Sequence, residues 1–476
     1  MLEGLEISEV LLSELEYSGR IDSEYYRPKF IEYEDLILEK GGIELAQLSN
    51  FLIGPFGSAF TVDNYTDDTS YRYIRGKDVK PMKLLDNDNA YMPKTDYQRL
   101  IKYALKENDI LVSVVGTLGN AALITKKDLP AIFSCKSTVL RPFDINGAYL
   151  LVYINTKYGA NLLLRKERGA IQKGLNLDDL KTVLIHKASS SFQLQIESLF
   201  TESLIKTELS KATYVNAENL LLETLGLANF QPSQEPVNVK SFSESFGSSG
   251  RLDAEYYQPF YEEVEDIIKA KGYKSISEIS KLINYGTVPT SPYTEDDSGI
   301  PYIKGMNLKN TDISKDKLDR INNTEELPQK FFTKKGDIII SQMGTVGDVG
   351  VVREEIGWLF ASFTIRVRLK ENSGYNPVFL GLYIQNIAKP YYLYRNIAQA
   401  SVRQNTDLPT IKNMYVPIVD SKKQREIAHL VEESFKLKKQ SEYLLEVAKT
   451  AVEMAIEQDE ATAIAYIKET TFTAKG

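Results

Sequence analysis

Arg20-Ile21-Asp22-Ser23-Glu24-Tyr25-Tyr26-Arg27-Pro28 returns 231 positions later as Arg251-Leu252-Asp253-Ala254-Glu255-Tyr256-Tyr257-Gln258-Pro259, in a chain of 476 residues. Working outward, Tyr73-Ile74-Arg75-Gly76 is answered by Tyr302-Ile303-Lys304-Gly305. Asp109-Ile110-Leu111-Val112-Ser113, then Gly116-Thr117-Leu118-Gly119, is answered by Asp337-Ile338-Ile339-Ile340-Ser341, then Gly344-Thr345-Val346-Gly347. Gln193 with Ile196 is answered by Gln424 with Ile427. Order is kept and the offset stays between 228 and 231. Self-similarity of this kind marks one unit present twice, with small insertions in loops.

Each unit reads in two parts. Residues 41–188 and 272–420 carry short β-branched runs broken by Gly, Asn, Asp and Pro, with helical patches such as 148–165. That mixture predicts a globular α/β (α+β) domain. Residues 191–226 and 422–467 contain no proline and no interior glycine. In the second stretch Ile427, Leu430, Ser434, Leu437, Ser441, Leu444, Ala448, Ala451 and Ala455 recur at 3-4 spacing, the seam of a long packing helix. The first stretch has a weaker seam at Ile196, Leu199, Ser203, Lys206, Ser210, Thr213, Ala217 and Leu220, with a shifted face at Phe200 and Leu204. Residues 227–250, with QPSQEP and SSG, read as a linker. Residues 1–40 form a lead with a short helix, and 251–271 a second short helix. The expected architecture is two domains separated by long helices that form an antiparallel coiled coil, with pseudo-twofold internal repetition.

Hydrophobic residues make up 43% and charged residues 26%, ordinary for a globular chain. No apolar run reaches membrane-spanning length. The start, MLEGLEISEV, lacks the basic-then-apolar pattern of a secretion signal. The single cysteine, Cys135, has no internal partner, which fits a reducing, cytoplasmic setting. Net charge is −8. That excludes a surface coated in positive charge but leaves room for a local basic groove.

The ordered pair of Asp-Ile-x-x-Ser…Gly-Thr-x-Gly segments, the Tyr-Ile-(Arg/Lys)-Gly segments and the Gln-x-x-Ile helix starts resembles the specificity subunit of type I restriction-modification systems. The resemblance runs from about Arg20 to the end of the C-terminal helix. It implies that 41–188 and 272–420 are target-recognition domains, each reading one half of a bipartite site in double-stranded DNA. It implies that the helices set the spacer and dock methyltransferase subunits, two per chain, with restriction or motor subunits as further partners. The cofactors it implies, S-adenosylmethionine with ATP and Mg, belong to those partners and none to this chain. Independently, paired modules on DNA mirror their half-site spacing. A 35-residue helix spans about 50 Å, about fifteen base pairs.

Candidate DNA contacts fall in three places. Arg72, Tyr73, Arg75 and Lys77, with Tyr302, Lys304 and Asn307, cluster beside a glycine. They suit phosphate and base-edge contacts, and equally a strand with its tyrosine inward and its cations solvated. Thr117, Asn120 and Thr345 lie in the glycine loops, which suit phosphate approach but also a tight hairpin turn. Gln172, Lys173 and Asn176 in GAIQKGLN, and Gln399, Arg403, Gln404 and Asn405 in AQASVRQN, are the preferred base readers. Gln and Asn pair bidentately with adenine, though a self-satisfying polar loop accounts for them too. Ile196, Leu199, Ile427, Leu430, Leu437 and Leu444 are the expected helix-packing or partner positions.

The chain is expected not to catalyse. His186 and His429 are its only histidines, so a His/Cys metal cluster lacks ligands. Lys389-Pro390-Tyr391-Tyr392 and Ser291-Pro292-Tyr293 lack the paired prolines of an adenine methyltransferase motif. Asp179-Leu180-Lys181 resembles part of a nuclease site, but its counterpart is Thr410-Ile411-Lys412. The alternatives are a non-DNA coiled-coil scaffold with duplicated heads, the specificity subunit of a related phage-defence methylation complex, or an enzyme with its site between the heads. Framework segments align while 94–103 and 320–332 do not, as expected of two readers of different half-sites.

Overall fold

The computed structural model describes residues 7–169, 173–235, 237–289, 291–315, 318–322, 327–355, 357–397 and 404–473. The chain divides into two units, 1–207 with 438–476, and 208–437. Each takes a portion of both long helices, α2 (Ser190–Leu225) and α4 (Ser421–Glu457).

The first unit begins with helix α1 (Pro28–Glu39), whose proline stands in the first turn, where its missing N–H costs nothing. Four antiparallel strands follow: β1 (Ser49–Ile53), β2 (Ile110–Ser113), β3 (Ala121–Leu123) and β4 (Ser137–Pro142), in the order β1-β4-β2-β3. Side chains alternate between faces along a strand. Ile110 and Val112 therefore join the core formed with Leu150, Leu151 and Leu162, while Leu111 packs with Ile74, Phe133 and Val139. The sheet is buried on both sides, and β2 is accordingly apolar up to its last residue, the buried Ser113. A smaller sheet pairs Arg72–Ile74 in parallel with Ala131–Phe133. The domain closes where Ile43–Glu44 pairs with Leu184–Ile185.

The second unit repeats this plan. Helix α3 (Pro259–Ala270) again starts on proline. Strands β5 (Ser280–Tyr285), β6 (Ile338–Ser341), β7 (Val349–Val351) and β8 (Thr364–Leu369) lie in the order β5-β8-β6-β7. Ile300–Ile303 pairs in parallel with Leu359–Phe360, and Tyr273–Ser275 closes on Tyr415–Pro417. Two mixed α/β domains joined to long helices are thus the architecture expected from the sequence.

The helices pack antiparallel inside each unit. In the first, Ile196, Leu199 and Phe200 of α2 share a core with Leu444, Val447, Ala448 and Ala451 of α4, and Leu204 packs against its edge. The seam serines take the place of interior side chains. Ser441 Oγ donates to the Ser203 carbonyl at 2.7 Å. In the second unit, Ser210 and Ser434 each donate to the other's carbonyl at 2.8 Å. Small residues let the backbones approach, and the reciprocal bonds leave no buried hydroxyl of these pairs unsatisfied. The sequence reading runs one helix from 422 to 467. The structure ends α4 at Glu457 and starts a separate helix, Glu460–Thr473. Asp459 accounts for the break, since its carboxylate accepts the Thr462 N–H at 2.8 Å as an N-cap. Among the described residues no helix is long and apolar enough to cross a membrane.

Candidate nucleic-acid interface

The repeated motif builds the same clamp in both units. Arg20 forks onto Asp22, with Nε to Oδ1 at 2.8 Å, and its guanidinium lies 4.6 Å from the centre of the Tyr25 ring. Arg165 covers the same ring at 4.4 Å, donates to the Tyr25 carbonyl at 3.0 Å and pairs with Glu34. The second tyrosine of the pair has a different task. Tyr26 Oη donates to the Arg20 carbonyl at 3.1 Å and meets Ser18. In the second unit Arg251 and Arg395 each lie 4.6 Å from the Tyr256 ring centre, Arg251 forks onto Asp253, and Tyr257 Oη donates to the Arg251 carbonyl at 2.9 Å. The arginine hydrogen bonds hold the Asp22 and Asp253 carboxyls below the usual carboxylate range. Cationic faces on a tyrosine ring explain why the motif needs Arg and Tyr together.

Two other repeated residues are anchors. Arg141 chelates the Asp109 carboxylate with both contacts at 2.7 Å, and Arg368 chelates Asp337 at 2.6 and 2.7 Å. Gln193 accepts the Asn146 N–H at 2.8 Å and donates to the Ala188 carbonyl at 2.7 Å. Gln424 makes the matching bonds to Asn376 at 2.9 Å and Val419 at 2.9 Å. Each glutamine thereby ties the start of a long helix to its domain.

The glycine loops are hairpin turns. Gly116, Gly119, Gly344 and Gly347 all have φ between +77° and +89°, conformations that glycine adopts without strain. Gly119 and Gly347 each donate to the serine that ends the preceding strand, at 2.9 Å. Thr117 and Thr345 stand exposed at the tips, and Asn120 donates to the Val79 carbonyl at 3.2 Å.

The Tyr-Ile-(Arg/Lys)-Gly segments face largely inward. Arg72 is buried and donates to Asp128 at 2.9 Å, and Tyr73 is buried, its hydroxyl pushed up to about 12 by desolvation. Tyr302 is buried and donates to the Thr287 carbonyl at 2.6 Å. Asn307 is buried and accepts the Lys304 N–H at 2.9 Å, as Asp78 accepts that of Arg75. Arg75 pairs with Asp78 at 2.9 Å, and Lys304 pairs with Asp319. Lys77 is exposed, 3.0 Å from Asp88.

The described ends of the amide-rich segments lie beside the glycine loops. Val115 bridges to Gly174, and Met343 to Asn405. Lys173 is exposed and pairs with Glu167. Asn176 is exposed and caps the short helix Leu177–Lys181 through the Asp179 N–H at 2.7 Å. Gln404 is exposed and Asn405 half-buried. Gln172, Gln399 and Arg403 lie outside the described residues. Of the helix-packing positions, Ile196, Leu199, Ile427, Leu437 and Leu444 are buried and Leu430 half-buried. Arg165 and Arg395 were not among the residues picked out from the sequence. Their signal was an arginine kept at offset 230, the offset at which Tyr153-Ile154 and Leu163 also return as Tyr383-Ile384 and Leu393.

Residues 269–446 match the family model described as the type I restriction modification DNA specificity domain. The chain carries a type I specificity domain. It is also 26% identical over 152 residues to the type I restriction enzyme EcoBI specificity subunit of Escherichia coli, a match that spans 32% of this chain and 31% of that relative. Among solved structures it is similar to the S subunit of a type I restriction-modification system from M. genitalium, with 14% identity, TM-score 0.44, and 87% and 94% of the two chains covered. The HsdS subunit from Thermoanaerobacter tengcongensis matches at 13% identity and TM-score 0.28, over 88% and 96%. The specificity domain takes in the second sheet, the second glycine loop and the first part of α4, through Glu446.

Proposed function

We propose that this chain is the DNA-reading subunit of a type I restriction-modification complex. Residues 41–188 and 272–420 serve as two target-recognition domains for a bipartite site in double-stranded DNA. The chain directs methylation by partner methyltransferase subunits, two per chain, and carries no chemistry of its own. The observation that carries this reading is the duplication within a specificity-domain chain. Both units share the order of the four-stranded sheet, and in both the glycine loop is bridged to the described end of an amide-rich segment, Val115 to Gly174 and Met343 to Asn405. Lys77, Thr117, Lys173, Asn176, Thr345, Gln404 and Asn405 offer donors at the surface, and Gln and Asn suit adenine edges. Arg72, Tyr73, Tyr302 and Asn307 act as the frame beneath them. With a net charge of −8, strong DNA binding belongs to the assembled complex, where partners add phosphate contacts. Methylation-site sequencing of DNA from cells with and without this gene, the partner genes intact, tests the reading. Loss of one bipartite methylated motif supports it, and an unchanged methylation pattern refutes it.

A further inference from the structure

Described residues on either side of the amide-rich segment are held in each unit. Its far end pairs with the glycine loop. Leu175 N–H donates to the Val114 carbonyl at 3.0 Å, and Thr406 N–H donates to the Gln342 carbonyl at 3.1 Å. Its near end is held by the repeated arginine, far away in sequence. Arg20 Nη2 donates to the Glu167 carbonyl at 2.8 Å, and Arg251 Nη2 donates to the Ile397 carbonyl at 3.2 Å. Arg20 has no freedom to wander, because Asp22 takes its fork and the Tyr25 ring lies beneath it. Arg165, two residues before Glu167, lies over the same ring at 4.4 Å. The lead motif and the base of the segment are therefore one block. In the first unit the near end is also closed by two backbone bonds between Arg168 and Gly174, both 2.9 Å, and by Arg168 on Asp179 at 2.8 Å.

We propose that Arg20 and Arg251 are positioning residues for half-site readout, each fixing the residue from which the chain enters the amide-rich segment of its own unit, Glu167 or Ile397. This rests on the proposed DNA-reading function. A donor that must sit within a few tenths of an ångström of a base edge needs a rigid base, and readout suffers before binding does. Phosphate contacts, which supply most of the affinity, are left in place. The repeated motif is thus retained for discrimination as well as for fold.

The test uses the full chain in complex with its methyltransferase partner, on DNA carrying the wild-type motif or single-base changes in either half. With Arg20→Ala, discrimination against changes in one half-site is expected to fall by about tenfold while the other half stays sharp. Arg251→Ala gives the reciprocal result. Arg20→Lys, which keeps a cation over Tyr25 but loses the fork, falls between. Thermal unfolding of each complex accompanies the assay. Should Arg20→Ala not assemble, Arg251→Ala, at a more open clamp, and Arg20→Lys carry the comparison. Unchanged discrimination in both halves, or equal loss in both, overturns the positioning role while leaving the reader reading intact. A wild-type complex that shows no bipartite preference overturns both.

Discussion

The guanidinium of Arg165 lies 4.4 Å from the centre of the Tyr25 ring, on a residue 140 positions away in the chain. The contact joins the lead segment to the end of the helix Lys157–Arg165 in the first domain. Replacing Arg165 by Met removes the partner of Glu34 and the donor to the Tyr25 carbonyl. Breaking a pair in which one member is buried costs about 3 kcal/mol. Urea unfolding of the Arg165→Met chain is expected to show that loss, with faster amide exchange in α1. An unchanged midpoint contradicts the clamp.

Asp337 carries more than Asp109. Its carboxylate takes Arg368 and also lies 3.6 Å from Arg366, whose side chain is fully buried. Removing the acid leaves a buried cation uncompensated. Asp337→Ala is expected to cost on the order of 4 kcal/mol and Asp109→Ala less, because Arg141 can turn to water. Denaturation of the two variants gives the order directly, and equal losses count against this account.

The serine seam predicts a non-additive pair. Ser434→Ala alone deprives the Ser210 carbonyl of a donor and costs about 1 kcal/mol. Ser434→Leu forces two close backbones apart and costs about 1–3 kcal/mol. The two hydroxyls also lie 3.2 Å apart, so a double-mutant cycle with Ser210→Ala should return a coupling energy above zero. Strict additivity contradicts that direct contact, because the two carbonyl bonds survive each other's removal.

His186 supplies a pH dependence. Burial holds its imidazole below the ordinary value of 6.5, and the Tyr149 hydroxyl lies 3.0 Å from Nδ1. The unfolded chain therefore binds this proton more readily than the folded one. Stability from this site is complete above about pH 6.5 and is lost as pH falls below it. His186→Gln should flatten the stability difference between pH 7 and 5. An identical profile in the variant excludes the site as its source.

Much of the frame was legible in the sequence because duplication filters noise. The glycine loops, Gln193 with Gln424 and Asp109 with Asp337 stood out as pairs, and each pair has one structural task performed twice. The roles of Arg72, Tyr73, Tyr302 and Asn307 were not legible. A basic or amide side chain beside a glycine looks alike whether it meets DNA or an interior carboxylate, and only the fold brings Asp128 to Arg72. The break after Glu457 was hidden because the segment 422–467 lacks Gly and Pro, and its stop is one N-cap, Asp459. Arg165 and Arg395 escaped notice because the clamp is assembled by tertiary contact alone.

The most direct measurement is a head exchange. The strand pairs that close the two domains, Ile43–Glu44 with Leu184–Ile185 and Tyr273–Ser275 with Tyr415–Pro417, mark the cuts. A chain carrying residues 43–185 in place of 273–417 is co-expressed with the methyltransferase, and its DNA is sequenced for methylated sites. The account predicts a motif whose two halves carry the same bases, those of the first domain. A copurifying complex that still methylates the original asymmetric motif contradicts the claim that each unit reads one half.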